Sequence, residues 1–247
     1  MSWNGIESLP VIGTLFSMIR RGVGRILRRR RLARQTPAEI FSEKYRNNSW
    51  RGECSVSGQG SDPCATRAIV ARLPELLRYR EIESLVDVPC GDFAWMREID
   101  LSGIEYTGGD IVDELIESNN EQYADSNLRF RRIDLLSETV PAGDLLICRD
   151  CLVHFSYADI WRAMTNIVAS NVTYALLTNF PDTKANHDIL TGEWRPLNLE
   201  LPPFEFPTPL ERLEENPPGD KFQDKSLGLW RIAELQAVVS RHKSTPK

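Results

Sequence analysis

This chain is short of the features that span membranes, cross-link secreted domains or hold structural metals. Between Leu9 and Leu27 the uninterrupted apolar part is too short to cross a bilayer, which takes roughly 20 residues of helix. Positive charge follows that part, the reverse of a secretory signal. Cysteine is scarce: five, an odd number with no framework spacing, so free thiols in a reducing, cytoplasmic compartment are expected. Cys148-Arg149-Asp150-Cys151 does spell Cys-x-x-Cys. A redox dithiol of the thioredoxin type would instead open a helix after an early strand. With His154 it offers three zinc ligands, one short of a closed structural site, so no metal site is expected. No repeat or low-complexity tract is visible, which excludes solenoids and arrays. Basic charge is also short in the body of the chain. The formal net charge is −5, made of about +7 over residues 1–34 and about −12 over the rest. An acidic body argues against a nucleic-acid substrate, whose binding rests on neutralised phosphates.

What is present reads as one α/β domain. At 247 residues the length suits a single sizeable domain over 35–247, preceded by a basic segment over 1–34. In that segment Leu9, Ile12, Phe16, Ile19, Val23 and Ile26 recur at helical spacing beside arginines. Residues 9–31 are thus expected to form a basic amphipathic helix able to touch an anionic membrane surface. A helix packed on the domain, a disordered tail and an organellar transit peptide are the alternatives. Thr36-Pro37-Ala38-Glu39 predicts a helix start, with Thr36 as cap and Pro37 in the first turn. The Ser- and Gly-rich stretch Trp50 to Ser61 predicts a loop, and Ala65 to Arg80 a helix, so residues 36–81 form a helical and looped lid. Strands are expected near 84–88, 105–109, 128–132, 144–148 and 173–179, with helices near 93–99, 112–123 and 157–169. That alternation implies a parallel sheet with right-handed crossovers. The proline-rich 195–209 segment reads as a cap over the sheet's carboxyl edge, and Leu227 to Ile232 as a late strand.

The most informative stretch is Ser84 to Trp95, SLVDVPCGDFAW. An apolar run ends in Asp87 and breaks into the turn Pro89-Cys90-Gly91-Asp92. About 20 residues on, Tyr106 to Asp110 forms a second run that also ends in an acid. This is how a doubly wound fold holds an adenine nucleoside: a tight turn after the first strand, a ribose-binding carboxylate after the second.

On these residues the chain resembles the class I S-adenosylmethionine-dependent methyltransferases. Asp87, Gly91, Asp110 and Asp134 fall on that family's acid and glycine positions in order, over roughly Leu85 to Phe180. A little-characterised bacterial group in the family is similar further. It shares the Pro-Cys-Gly-Asp-Phe turn, a Ser- and Gly-rich stretch like 50–61, and the late Asp224 to Trp230. The resemblance implies a Rossmann-like, mostly parallel sheet closed by an antiparallel C-terminal hairpin, and S-adenosyl-L-methionine as cofactor. It implies cofactor contacts from Asp87, Pro89, Cys90, Gly91, Asp92, Phe93 and Trp95 in the first turn and from Asp110 and Ile111 after the second strand. Asp134 and Leu135 follow the third strand and Arg149 and Asp150 the fourth. Pro89 and Phe93 stand where the family turn usually has glycines.

Past the fourth strand, Asp150 and His154 are the titratable groups that this resemblance brings to the methyl acceptor. Four residues apart, they share a face if the segment is helical. A helix-start carboxylate and a packed histidine are the bland alternatives. Nothing after strand four reads Asp/Asn-Pro-Pro-Tyr/Phe, the clamp of amino-methylating nucleic-acid enzymes. Thr178-Asn179-Phe180-Pro181 places an amide and an aromatic at the same edge. Glu193, Trp194 and Asn198 together would suit a hydroxylated acceptor or serve as a structural cap. The expected function is methyl transfer to a small or glycan-linked acceptor at oxygen. A NAD-dependent oxidoreductase and a non-catalytic nucleoside- or partner-binding protein are the rivals.

Overall fold

A computed structural model describes residue 24 and residues 27–244. The chain divides into two compact units, Met1–Thr36 and Pro37–Lys247. In the first, residues 27–32 are helical. Most of the amphipathic segment expected over 9–31 lies outside the described residues. No described helix is long and apolar enough to cross a membrane.

The second unit opens with α1 (Pro37–Arg46) and α2 (Pro63–Tyr79). Both begin on proline, which lacks the N–H that a first helical turn leaves unpaired. Seven strands follow: β1 (Ser84–Asp87), β2 (Glu105–Asp110), β3 (Leu128–Arg132), β4 (Gly143–Cys148), β5 (Val172–Asn179), β6 (Glu211–Glu214) and β7 (Ser226–Arg231). They form one sheet in the order β3-β2-β1-β4-β5-β7-β6. β1 to β5 are parallel to their neighbours, and β7 runs antiparallel to both β5 and β6. The fold is therefore a Rossmann-like, mostly parallel sheet closed by an antiparallel C-terminal pair. Strand order reverses between β1 and β4, the switch point at which such sheets bind ligands.

Strand residues alternate between two buried faces. Leu85, Leu145, Ile147 and Leu176 meet Ile69, Leu73 and Leu76 of α2 on one face. Val86, Leu146, Cys148 and Leu177 meet helices α4 (Tyr157–Val168) and α5 (Ile232–Ser244) on the other, through Ile160, Met164, Leu235 and Val239. Both faces being covered explains why β1 and β4 read as continuous apolar runs.

One predicted helix is not there. Between β1 and β2 only a single turn forms, Met96–Glu98. Phe93 sits at φ +59°, outside the helical region, and sends its ring among Tyr106, Tyr123 and Phe130 at 5.1–5.3 Å. Helix α3 (Asp113–Tyr123) makes the crossover from β2 to β3.

Candidate active site

The carboxyl ends of β1, β2 and β4 open into a cavity of about 810 Å³. At one end lies the turn after β1. Gly91 has φ +55°, where a side chain is strained, and a Cβ there would stand 2.2 Å from Ser57 Oγ. The 50–61 loop thus lies directly on the turn. Asp92 pins it: Ser55 and Ser57 hydroxyls and the Val56 N–H all donate to its carboxylate at 2.9–3.0 Å. Asp62 holds the loop's other side by accepting the N–H groups of Glu53, Cys54 and Ser55.

Asp110 closes β2 on the cavity wall. Its carboxylate accepts the Gly91 N–H at 3.1 Å and the Val112 N–H at 3.0 Å. Each oxygen keeps a lone pair for a ligand. Burial raises this carboxyl to about 6 despite those donors. Pro89, Cys90, Gly91, Trp95, Ile111, Asp134 and Leu135 line the same end. Asp134 is held by the Leu136 N–H and the Ser137 hydroxyl.

Three positions expected on the cofactor stand back from this wall. Asp87 lies beneath it, its Oδ2 accepting from the Tyr106 hydroxyl at 2.9 Å, while its Oδ1 is buried without a partner. Burial drives Asp87 up to about 7. Asp92 is spent on the loop, and Phe93 is in the core. Sequence spacing shows which residues occupy a turn, but not which way each one faces.

The far end of the cavity begins where β4 stops. Asp150, at φ +52°, donates its N–H to Thr178 Oγ1 at 2.8 Å. Its Oδ2 lies 2.6 Å from Lys225 Nζ and 3.4 Å from Arg149 Nη1. Burial pushes this carboxyl up, but the two cations outweigh it and hold the group down at about 2. Glu215, fully buried, ties the cations together through Oε2, 2.5 Å from Arg149 and 3.1 Å from Lys225. Arg149 also donates to the Gly60 carbonyl at 2.6 Å, so the 50–61 loop is held at both ends. Glu215 and Lys225 escape a sequence reading because they stand 66 and 75 residues from their partners. The one available signal was the distinctive Asp224 to Trp230 stretch.

His154 lines the cavity beside Phe41 and Trp50. Its Nδ1 is 2.8 Å from the Glu193 carbonyl. A carbonyl only accepts, so Nδ1 carries the proton and Nε2 is a free acceptor. Burial lowers the imidazole to about 4, against the pull of that hydrogen bond. The ring is set by the segment after β5. The buried Arg195 guanidinium donates to the Leu152 and Phe155 carbonyls at 3.0 and 2.9 Å. The Gly192 N–H reaches the His154 carbonyl at 2.8 Å.

Of the other edge residues, Phe180 and Trp194 line the cavity. Asn179 instead binds Glu200 and the Leu199 N–H. Asn198 holds the Pro181 and Thr183 carbonyls, and Glu193 accepts the Leu190 N–H. These three build the cap. Among the described residues no group of side chains could hold a metal ion.

A scan of protein-family models matches none of them to this chain. A search of curated proteins finds no relative. Among solved structures, PigF with SAH is similar at a TM-score of 0.50 and 13% identity, over 66% of this chain and 54% of that one. Magnesium protoporphyrin IX methyltransferase from Synechocystis PCC 6803 with bound SAM aligns at 0.48 and 17%, over 63% and 82% of the two chains. Human N-acetylserotonin methyltransferase with SAM aligns at 0.37 and 14%, over 58% and 50%. At these identities the likeness is one of fold. The likeness to PigF and the strand order agree on a Rossmann-like fold.

Proposed function

We propose that the protein is an S-adenosylmethionine-dependent methyltransferase acting at oxygen on a small or glycan-linked acceptor. One observation carries the reading: a single cavity runs from Asp110 to Asp150 and His154. Its volume of about 810 Å³ is in the range of small-molecule sites. Asp110 would accept the ribose hydroxyls and Asp134 the adenine amino group, with the Leu135 backbone beside it. PigF, similar in fold, is solved with SAH.

When bound, the sulfonium supplies an activated methyl group, whose bond to sulfur breaks with the electron pair left on sulfur. The protein's own task is then alignment, and orientation alone lowers such a barrier by roughly 7–11 kcal/mol. As the acceptor oxygen bonds to the methyl carbon, its proton must leave. His154 Nε2 is placed and protonated correctly to take it. Asp150, whose carboxylate is committed to two cations, serves to bind.

The nicotinamide reading meets a specific obstacle. A dinucleotide pyrophosphate lies against the glycine turn. Here Ser57 covers Gly91, and Phe93 replaces the glycine that would allow close approach. Isothermal titration with S-adenosylmethionine, S-adenosylhomocysteine and NAD distinguishes the two. The two sulfur nucleosides are expected to bind, with NAD at least tenfold weaker; preference for NAD would reverse the assignment.

A further inference from the structure

The acceptor end of the cavity has a simple hydrogen-bonding remainder. Arg149, Lys225, Asp150 and Glu215 form a balanced set of two cations and two anions. Such a set attracts neither an anionic nor a cationic acceptor. Lys225 has three donors; one is given to Asp150 Oδ2 at 2.6 Å, and Glu215 Oε2 adds an ion pair at 3.1 Å. Asp150 Oδ2 is taken by Lys225, while Oδ1 has no hydrogen-bond partner among the described residues. Both residues line the cavity. Donor capacity on Lys225 and a free carboxylate oxygen on Asp150 therefore stand side by side, on two side chains joined by the Lys225 Nζ–Asp150 Oδ2 hydrogen bond of 2.6 Å.

Above them the wall changes character. Trp194 and Phe222 are 43% and 41% exposed. Their rings meet edge to face at 4.9 Å, and both pack on Phe180 at 6.1 and 5.8 Å. All three line the cavity. An apolar rim over a charged floor fits a ring whose faces are apolar and whose edge carries hydroxyls.

We propose that the Asp150–Lys225 pair is a receptor for a vicinal diol on the acceptor ring, with Trp194 and Phe222 packing on that ring. Resting on the methyltransferase reading above, this names its acceptor class. One hydroxyl donates to Asp150 Oδ1 while its neighbour accepts from Lys225. Adjacent ring hydroxyls are close enough to reach two side chains that are themselves joined by one hydrogen bond. A single hydroxyl would engage only one of the two. Glu215 is a positioning residue here, since it aims Lys225 from behind.

Pyranosides and catechols both carry vicinal diols, and saturation-transfer NMR on the enzyme loaded with S-adenosylhomocysteine separates them. The probes are methyl α-mannopyranoside, its 2-deoxy and 3-deoxy analogues, catechol and phenol. The diols are expected to bind and their monohydroxyl counterparts at least tenfold more weakly. Binding by the pyranoside alone assigns a saturated ring, and by catechol alone a planar one; either supports the diol receptor. Lys225→Met should abolish the preference while S-adenosylhomocysteine affinity, measured by calorimetry, stays within about twofold. Asp150→Asn, which removes the charged acceptor and should likewise weaken the preference, serves if that variant does not fold. Equal binding of diols and deoxy compounds, or failure of every diol, with the nucleoside still bound, overturns the diol receptor alone. Loss of nucleoside binding in the unaltered enzyme overturns the methyltransferase reading beneath it.

Discussion

Asp110→Ala lowers the affinity for S-adenosylhomocysteine by at least an order of magnitude in a folded protein. The carboxylate is already aligned by the Gly91 and Val112 N–H groups, so it accepts two ribose hydroxyls without reorganising. Hydrogen bonds to a charged group are each worth about 1.5–3 kcal/mol, and tenfold in affinity takes about 1.4 kcal/mol. The group also sets a pH dependence. Its carboxyl is raised to about 6 by burial, and the hydroxyls favour the ionised form. Affinity should therefore climb as pH rises through about 6 and then level off. The same raised value means that stability from this group is complete below the ordinary carboxyl value and is lost as pH rises from there towards about 6. Asp110→Asn should remove the pH step in binding while keeping an acceptor, so its affinity should lie between those of wild type and Asp110→Ala. Calorimetry from pH 5 to 8 reads all of this. Unchanged affinity in folded Asp110→Ala would remove the ribose assignment.

His154→Ala is expected to lower turnover by roughly 10²–10⁴-fold, the usual range for a positioned general base, with nucleoside affinity barely changed. His154→Asn is the sharper test. Its amide N–H can still donate to the Glu193 carbonyl, so the loop is kept while the Nε2 lone pair is lost. If the asparagine variant turns over normally, the ring is a packing element and catalysis rests on alignment. The imidazole is lowered to about 4 by burial and is therefore neutral at physiological pH. Turnover limited by this group should stay flat from neutrality to about pH 5 and fall below that. The stability sign is also fixed. The unfolded chain takes up the proton near the ordinary value of about 6.5 and the folded one only near 4. Stability from this site is thus complete above about 6.5 and lost as pH falls towards 4. Thermal unfolding of wild type and His154→Asn over that window should diverge as the pH drops.

Much of the fold is legible because buried strands declare themselves. Leu85-Val86 and Leu145-Leu146-Ile147 are apolar on both faces, and Asp110 ends its strand where a nucleoside-binding fold needs an acid. β6 is not legible, since Glu-Arg-Leu-Glu offers one apolar residue, Leu213, to the core. The false helix near 93–99 came from a pattern that Phe93 obeys in apolar character and violates in backbone conformation. The candidate site divides the same way. Residues fixed by strand ends, Asp110, Asp134, Asp150 and His154, line the cavity that spacing suggested. Ser57 and Lys225 lie in the two stretches that stand out in the sequence, 50–61 and Asp224 to Trp230, but Arg195 and Glu215 carry no local signal, because a buried ion pair or hydrogen bond between remote segments imposes no periodicity on either one.

The measurement that bears most directly on this reading is a crystal structure with S-adenosylhomocysteine bound. The ribose is expected on the Asp110 carboxylate, the adenine beside Asp134 and Leu135, and the sulfur directed toward the space between Asp150 and His154. A nucleoside whose sulfur points away from that space, or one seated outside the cavity altogether, would contradict it.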